Sequence, residues 1–108
     1  MNETGALAAF SSISSATRLR ILKRLVEAGS EGLSAGDIAL AVDATPSRAS
    51  FHLSNMSDAG LVVSSRSARQ ITYRIDFETV GALMRYLLND CCKNNATVMA
   101  CCMPAGKC

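Results

Sequence analysis

The stretch LSAGDIALAVDATPSRASFHL, residues 33–53, decides the fold of this chain. Ser34 followed three residues later by Asp37 is a capping-box pattern, which predicts the start of a short helix. Thr45 as N-cap and Pro46 at the first helical position then predict the start of a second helix. Two helices joined by a turn of a few residues are typical of a protein that reads the major groove of DNA.

The sequence on both sides of this stretch predicts the rest of a winged helix-turn-helix. The β-branched segments 61–64 and 71–75 predict a two-stranded hairpin, the wing, around residues 65–70. Apolar residues at helical spacing predict two helices before the motif and one after the wing. Their predicted apolar stripes are Ala6, Leu7, Phe10 and Ile13; Leu19, Leu22, Leu25 and Val26; and Val80, Leu83, Met84, Leu87 and Leu88. The predicted fold is mainly α with a β-hairpin: five helices and a two-stranded wing.

The second helix of the motif, predicted over residues 46–59, carries the candidate DNA-reading residues. Its N-terminal part would enter the major groove, so we expect Ser47, Arg48, Ser50 and Phe51 to face the bases. Arg48 can bind guanine O6 and N7, the serines can donate or accept, and Phe51 can contact a thymine methyl group. Alanine, leucine and methionine at positions 49, 53 and 56 are predicted to face inward.

Four further basic positions could have a role in the site. Arg66 and Arg69 flank the predicted hairpin tip, where they either reach the adjacent minor groove or its phosphates or simply keep an exposed loop soluble. His52 is the only histidine, so we predict a structural or phosphate-contacting role rather than a metal or catalytic one. Arg18 lies on a charged helix, and such a helix usually presents a solvated face.

Length and composition limit the class of protein. The 108 residues fit one domain, and so short a chain favours association into a dimer. A net charge of +2 is too small to indicate a nucleic-acid partner by itself. The sequence contains no run as long as a membrane span, and its start does not resemble a signal peptide, so we expect a cytoplasmic protein. It offers neither a histidine beside the thiols nor a glycine-rich phosphate loop, so we do not expect an enzyme.

All five cysteines lie in the last 18 residues, and they are Cys91, Cys92, Cys101, Cys102 and Cys108. In a reducing cytosol, clustered cysteines more often bind metals or undergo redox reactions than form structural disulfides. We therefore divide the chain into a DNA-binding and dimerisation domain, residues 1–90, and a cysteine-rich effector-binding tail, residues 91–108. Residues 93–108 contain Pro104 and Gly106 and show no clear periodicity, so this segment is predicted to be a mobile tail.

Three stretches resemble the arsenical-repressor (ArsR) family of bacterial winged-helix metalloregulators: ATRLRIL at 16–22, the motif from residue 33 to 62, and RQITYR at 69–74. The resemblance covers nearly all of the chain. It implies a homodimer built from the first and last helices. It also implies a repressor that binds a palindromic operator DNA and leaves it when a metal or metalloid binds.

Departures from the family pattern reduce the number of effectors that we expect. The segment 33–39 holds none of the paired cysteines of one family site, and the last helix holds no histidine for a zinc site of another kind. What remains resembles members whose arsenic site is C-terminal, with Cys91 and Cys92 as the pair and Cys101, Cys102 or Cys108 as third ligand. Three thiolates satisfy As(III) or Sb(III). Adjacent residues on a helix point about 100° apart, so we expect binding to distort the helix end.

Other functions remain open from the sequence. Four thiolates can hold cadmium, lead or zinc, although typical zinc spacings place two residues between paired cysteines. The thiols can instead form a redox switch that releases DNA under oxidant without any metal. In a different class, the chain would be a dimeric thiol-based metal-buffering protein that binds no DNA.

Overall fold

The computed structural model describes residues 1–103 and confirms the predicted winged helix-turn-helix. The helices are α1 Glu3–Ile13, α2 Ala16–Ala28, α3 Ala35–Ala41, α4 Pro46–Asp58, α5 Phe77–Arg85 and α6 Ala96–Cys101. The strands are β1 Leu33–Ser34, β2 Val62–Ser67 and β3 Gln70–Ile75. A 3₁₀ turn, Gly29–Glu31, follows α2, and α5 continues into a π-helical segment, Tyr86–Cys91. The described part thus holds six α-helices where the sequence predicted five.

Side-chain caps begin the helices of the motif where the sequence predicted them. The Ser34 hydroxyl accepts a hydrogen bond from the Asp37 amide at 3.1 Å, which starts α3. The Thr45 hydroxyl accepts one from the Arg48 amide at 3.2 Å, with Pro46 in the first turn of α4. Each cap satisfies an amide that the helix itself leaves unpaired, so both helices start at a defined residue.

The sheet has three strands in the described residues, one more than predicted. Antiparallel β2 and β3 form the wing, with Val62 opposite Ile75 and Ser67 opposite Gln70. The short β1 adds to the other side of β3, placing Leu33 opposite Tyr73. Two residues are too few to show the alternation of a strand, which is why the pattern did not predict β1. The wing strands also extend further towards the tip than the β-branched residues indicated.

A small core lies between α1, α2, α3, α4 and the base of the wing. The largest fully buried apolar side chains are Ile21, Leu25, Ile38, Leu53, Met56 and Leu61. Burying one such side chain contributes about 1.5–3 kcal/mol. The inward positions predicted for α3 and α4 are confirmed, since Ala49 is buried with Leu53 and Met56, and Ala39 and Val42 with Ile38.

The stripe predicted for α1 is confirmed except at Leu7. Ala6 is buried, and Phe10 and Ile13 pack partly buried against the core, whereas Leu7 is 59% exposed. Ala9 and Ser12, which were not predicted, are also buried. Small residues at a spacing of three let the backbone of α1 come close to α2 and α4, against which it packs. A prediction based on hydrophobicity alone favours leucine over alanine, and it was therefore wrong for Leu7.

The stripe predicted for α2 is also partly wrong. Ile21 and Leu25 are buried, whereas Leu19 and Val26 are each close to half exposed. Residues 18, 21, 22 and 25 lie on the same face of α2, so Arg18 is on the side of the helix that faces the core.

The C-terminal segment holds helix α6, although the sequence predicted a mobile tail from residue 93 onward. Lys93 and Asn94 both adopt left-handed backbone conformations, with φ of 52° and 56°, and they end the π-helical segment. The Asn95 side chain then accepts hydrogen bonds from the Thr97 and Val98 amides and begins α6. Asparagine and lysine gave no turn signal strong enough to predict this reversal. Cys108 lies outside the described residues.

Gly32 joins the 3₁₀ turn to β1 and provides a test of this packing. Its φ is +69°, and a Cβ atom there would overlap the carbonyl oxygen of Tyr73 on β3. We expect Gly32→Ala to lower the free energy of unfolding by about 2 kcal/mol or more, because both the strain and the overlap oppose it. Urea denaturation measures the change.

Gly36→Ala is the matched control for this test. Gly36 lies in α3, where an added Cβ has no atom closer than 4.0 Å. Alanine favours a helix over glycine by up to about 1 kcal/mol, so this variant should be as stable as the wild type or more stable. Equal destabilisation by both substitutions would contradict the close approach of Gly32 to β3.

Candidate nucleic-acid interface

The outer face of α4 carries the four predicted base-reading residues. Burial of Ala49, Leu53 and Met56 on one side of the helix directs the opposite side to solvent. Ser47, Arg48, Ser50 and Phe51 are all exposed. Phe51 is 67% exposed, which is unusual for a large aromatic side chain. The structure therefore groups these four residues on one surface, as the sequence predicted.

The turn between α3 and α4 sets the angle of this surface. Asp43 adopts a left-handed conformation with φ of 54°, which aspartate tolerates better than most residues. The Ala44 amide then donates to the Ala39 carbonyl at 2.9 Å, so the turn is tied to the end of α3. These contacts orient the first turn of α4 relative to the core.

The wing supplies two more exposed cations. Arg66 lies on β2 and Arg69 in the tight turn at the tip, next to Ala68, whose φ is 57°. Within the part of the chain that the structure describes, neither arginine forms an ion pair. Both guanidinium groups are therefore available to an anionic partner such as phosphate.

Arg74 has a structural role that the sequence did not indicate. Its Nε donates to the Ser30 carbonyl at 2.8 Å, and its Nη1 donates to the Ser65 hydroxyl at 2.8 Å. One side chain thus ties the wing to the turn that follows α2. This contact holds β2 and β3 at a fixed position beside the helix-turn-helix.

Arg18 and His52 form the least expected contact of the site. Arg18 of α2 is half-buried, and its Nη1 lies 3.0 Å from Nδ1 of His52 on α4. The Arg18 Nε donates to the carbonyl oxygen of Ser12, in the last turn of α1. A single guanidinium therefore joins three helices. The expectation that α2 presents only a solvated charged face was wrong for Arg18, and its phase with Ile21 and Leu25 was the signal that the sequence offered.

The surroundings of His52 disfavour its protonation. Burial lowers the pKa of His52, and the positive charges of Arg18 and then Arg48 lower this pKa further. His52 is therefore neutral at pH 7. Phe51 packs edge-on against the imidazole, with ring centroids 5.5 Å apart.

The cysteine thiols of the described residues follow α5 in the chain. Cys91 ends the π-helical segment and is exposed, and Cys92 caps it and is half-buried. Burial raises the pKa of the Cys92 thiol, and a hydrogen bond with Cys91 and the charges of Cys91 and Cys102 raise that pKa further. Cys102 ends the next helix, α6, and is close enough for its charge to act on Cys92.

The thiols of residues 91–102 lie in one short segment of the chain but do not form a complete metal-binding site. In residues 1–103, no three histidine, cysteine, aspartate or glutamate side chains are arranged to hold a metal ion. Cys91, Cys92 and Cys102 form no disulfide, and Cys101 is half-buried at the end of α6. None of the helices in this part of the chain is long and apolar enough to cross a membrane.

A buried helix-turn-helix scaffold with exposed cations on α4 and on a wing defines the class of winged-helix DNA-binding proteins. A family model described as a helix-turn-helix domain matches residues 13–65. The HTH-type transcriptional regulator YgaV of Escherichia coli (strain K12) is 39% identical over 87 residues, covering 81% of this chain and 86% of that protein.

Two solved structures extend this similarity over the fold. An ArsR-like transcriptional regulator from Rhodococcus sp. RHA1 superposes with a TM-score of 0.73 at 25% identity, covering 90% of this chain and 89% of that one. The AntR antimony-specific transcriptional repressor superposes with a TM-score of 0.60 at 31% identity, covering 83% and 78%. The chain belongs to the ArsR family of winged helix-turn-helix transcriptional regulators. The relatives are regulators, not enzymes.

Arg48 provides a test of the α4 surface. We expect Arg48→Ala to weaken operator binding by about 1–3 kcal/mol, because a bidentate arginine–guanine contact contributes that much discrimination. The thermal unfolding midpoint should stay unchanged, since the side chain is exposed and the Thr45 cap uses only the backbone amide. Fluorescence anisotropy of a palindromic DNA from the upstream region, at fixed salt, measures the affinity.

Arg24→Ala removes the same charge from the exposed face of α2, outside the helix-turn-helix, and serves as the control. It should change the affinity much less than Arg48→Ala does. Equal losses in the two variants would mean that the protein's overall charge, and not a contact from α4, determines binding.

The lowered pKa of His52 predicts a pH dependence of stability. Between the lower folded pKa and the ordinary value of about 6.5, the unfolded chain binds more protons than the folded one. The stabilisation from neutral His52 is therefore fully present above about pH 6.5 and is lost as the pH falls towards the folded pKa. Urea midpoints between about pH 5 and 8 should fall more steeply on acidification for the wild type than for His52→Gln. If the urea midpoint changes equally with pH in the wild type and in His52→Gln, the lowered pKa of His52 is contradicted.

Proposed function

We propose that this protein is a homodimeric transcriptional repressor that binds operator DNA and releases it when As(III) or Sb(III) is bound by C-terminal cysteine thiols. The observation that carries the proposal is the position of the thiols. Cys91 and Cys92 lie directly at the end of the helical segment that continues α5, and the charge of Cys102 acts on Cys92. An ion held by this pair would act on the end of α5, an element that follows the wing and is separate from α4.

DNA binding in this proposal uses two groups of residues. Arg48, Ser47, Ser50 and Phe51 read base edges from the exposed first turns of α4. The wing arginines and His52 contact the phosphate backbone or the minor groove and fix the register. Because backbone contacts hold the protein without reading sequence, we expect operator specificity to depend mainly on α4.

The dimer in this proposal forms through α1 and α5. Leu7 on α1 and Met84 on α5 are exposed apolar side chains that the monomer leaves uncovered. The start of α1 lies close to α5, since Gly5 lines a groove of about 500 Å³ together with Thr79 and Ala82. Exposed apolar side chains on these two helices of so small a domain support their burial against a second copy.

The chemistry of the available donors fits a trivalent metalloid. Arsenous acid condenses with three thiols to form three As–S bonds and release three waters, and thiols are the soft ligands that such an ion prefers. Cys91 and Cys92 would supply two sulfur atoms. The charge effect of Cys102 on Cys92 supports Cys102 as a third ligand, and Cys101 and Cys108 are the other candidates. The similarity to AntR, an antimony-specific repressor, supports a metalloid effector of this kind.

The π-helical segment supports a route from the ion to the dimer. The Cys92 amide donates to the Leu87 carbonyl at 2.9 Å and the Asn94 amide to the Leu88 carbonyl at 2.7 Å, so the helix is already wider than an α-helix at this point. Such segments occur most often at functional sites. Drawing Cys91, Cys92 and Cys102 together would change these hydrogen bonds and move the end of α5, which alters the spacing of the two recognition helices.

The first experiment titrates the reduced protein, bound to a fluorescent palindromic operator, with arsenite and antimonite. We expect release near one ion per site in the wild type, and no release in Cys91→Ser/Cys92→Ser, which should still bind DNA. Anisotropy at fixed salt measures both properties.

Two single variants locate the third ligand. Cys102→Ser should lose most of the arsenite response, whereas the matched substitution Cys108→Ser should keep it; the reverse result would assign the third sulfur to Cys108. Release from the cysteine-pair variant, or release by oxidant alone without a metalloid, would contradict the proposed effector chemistry. Saturable ion binding without any DNA binding would replace the repressor by a metal-buffering protein.

A further inference from the structure

Arg18 lies outside every DNA-contacting position that the sequence predicted, yet it contacts the recognition helix. Its guanidinium has donors only, and it remains protonated throughout the range in which proteins are folded. The contact of Nη1 with His52 at 3.0 Å therefore requires Nδ1 to be the acceptor. In the neutral imidazole the proton must then be on Nε2.

The Nε2–H group points away from this contact and is open to an external acceptor. In residues 1–103, Nε2 has no hydrogen-bond partner, and it is not among the buried unpaired polar atoms. His52 lies one helical turn after Arg48 on α4, next to the exposed Phe51. A fixed N–H donor at this position, beside cationic Arg48, is suited to an anionic oxygen.

From this geometry we infer that Arg18 is a positioning residue for operator binding, which holds His52 in the Nε2–H tautomer so that His52 donates a hydrogen bond to a DNA phosphate. The inference rests on the proposed DNA binding. Arg18 is itself fixed, because its Nε donates to the Ser12 carbonyl of α1. The imidazole thus acts as a neutral, oriented donor, and Arg18 acts through it without touching DNA.

The charged groups around His52 agree with a neutral imidazole. Arg18 from α2 and Arg48 from α4 are the charges that act on it, and α1 contributes the uncharged Ser12 carbonyl by way of Arg18. Both charges are positive, so they oppose protonation while attracting phosphate. A donor that stays neutral binds phosphate without neutralising its charge, and this gives the contact a distinctive salt dependence.

The tautomer is directly measurable because His52 is the only histidine among the 108 residues. Long-range ¹H–¹⁵N spectra of the full chain at pH 7.5 to 8 should show Nε2 protonated and Nδ1 unprotonated. In Arg18→Met the second tautomer should become detectable and the pKa of His52 should rise. A protonated Nδ1 in the wild type, or identical spectra in the variant, would overturn the inference.

Operator affinity tests the phosphate contact. His52→Asn places an amide at the inner ring position, and His52→Gln places one at the outer position. We expect His52→Asn to weaken binding about tenfold, as for loss of a hydrogen bond to a charged group, and His52→Gln to retain most of the affinity. Equal affinity of His52→Asn and the wild type would overturn the contact.

The salt dependence separates positioning from direct contact. Arg18→Met should weaken binding, by no more than His52→Asn does, with the slope of log affinity against log salt unchanged. A guanidinium that neutralised a phosphate would instead lower that slope by about 0.9 on removal. Such a change would show that Arg18 touches DNA itself and would overturn its positioning role.

The double variant Arg18→Met/His52→Asn completes the test. Because Arg18 acts through His52, the double variant should bind no more weakly than either single variant, whereas additive losses would show independent roles. Urea midpoints identify any variant that fails to fold, and the two His52 variants keep the test valid without Arg18→Met. If the wild type binds no operator DNA, the proposed function fails; if it binds and His52→Asn binds equally well, only this inference fails.

Discussion

Burial of Ala49, Leu53 and Met56 against the core is the constraint on which the rest of the structure depends. A helix has one inward face, so fixing these three residues determines that Ser47, Arg48, Ser50 and Phe51 point to solvent. The orientation of α4 that exposes Phe51 also buries Leu53 and Met56. Burial of each of these two side chains contributes about 1.5–3 kcal/mol, which outweighs the free-energy cost of exposing Phe51. The exposure of the four predicted base-reading residues thus follows from core packing.

The sequence predicted the elements whose signals are local and strong. Side-chain caps at Ser34 and Thr45 mark single residues, and their hydrogen bonds lie where the pattern indicated. The wing was predicted from its β-branched residues. The exposed face of α4 was predicted from the helical spacing of its apolar residues. These features depend on neighbours within a few positions of the chain, so one sequence is enough to find them.

What the sequence did not show depends on close approach between distant segments. The buried face of α1 consists of alanines and a serine because α2 and α4 approach it closely, and hydrophobicity does not report such distances. Strand β1 is too short to show a period, and it forms because β3 lies beside it. Arg18 appeared to belong to a solvated face, yet its partners Ser12 and His52 lie 6 and 34 residues away.

In the proposed regulator, helix α1 belongs to the dimer surface and is also connected, through Arg18, to helix α4. Its exposed Leu7 and its start beside α5 place it in the proposed dimer surface, while the carbonyl of Ser12 in its last turn anchors Arg18. A movement of α5 caused by the thiols would therefore reach α1 first, and the Arg18 guanidinium connects α1 to His52 on the recognition helix. Hydrogen bonds from a planar guanidinium weaken steeply with angle, so a small shift of α1 is enough to change the Arg18–His52 contact. In the proposed mechanism this connection requires no contact between the cysteines and DNA, and the last turn of α1 would carry the change from the thiols to α4.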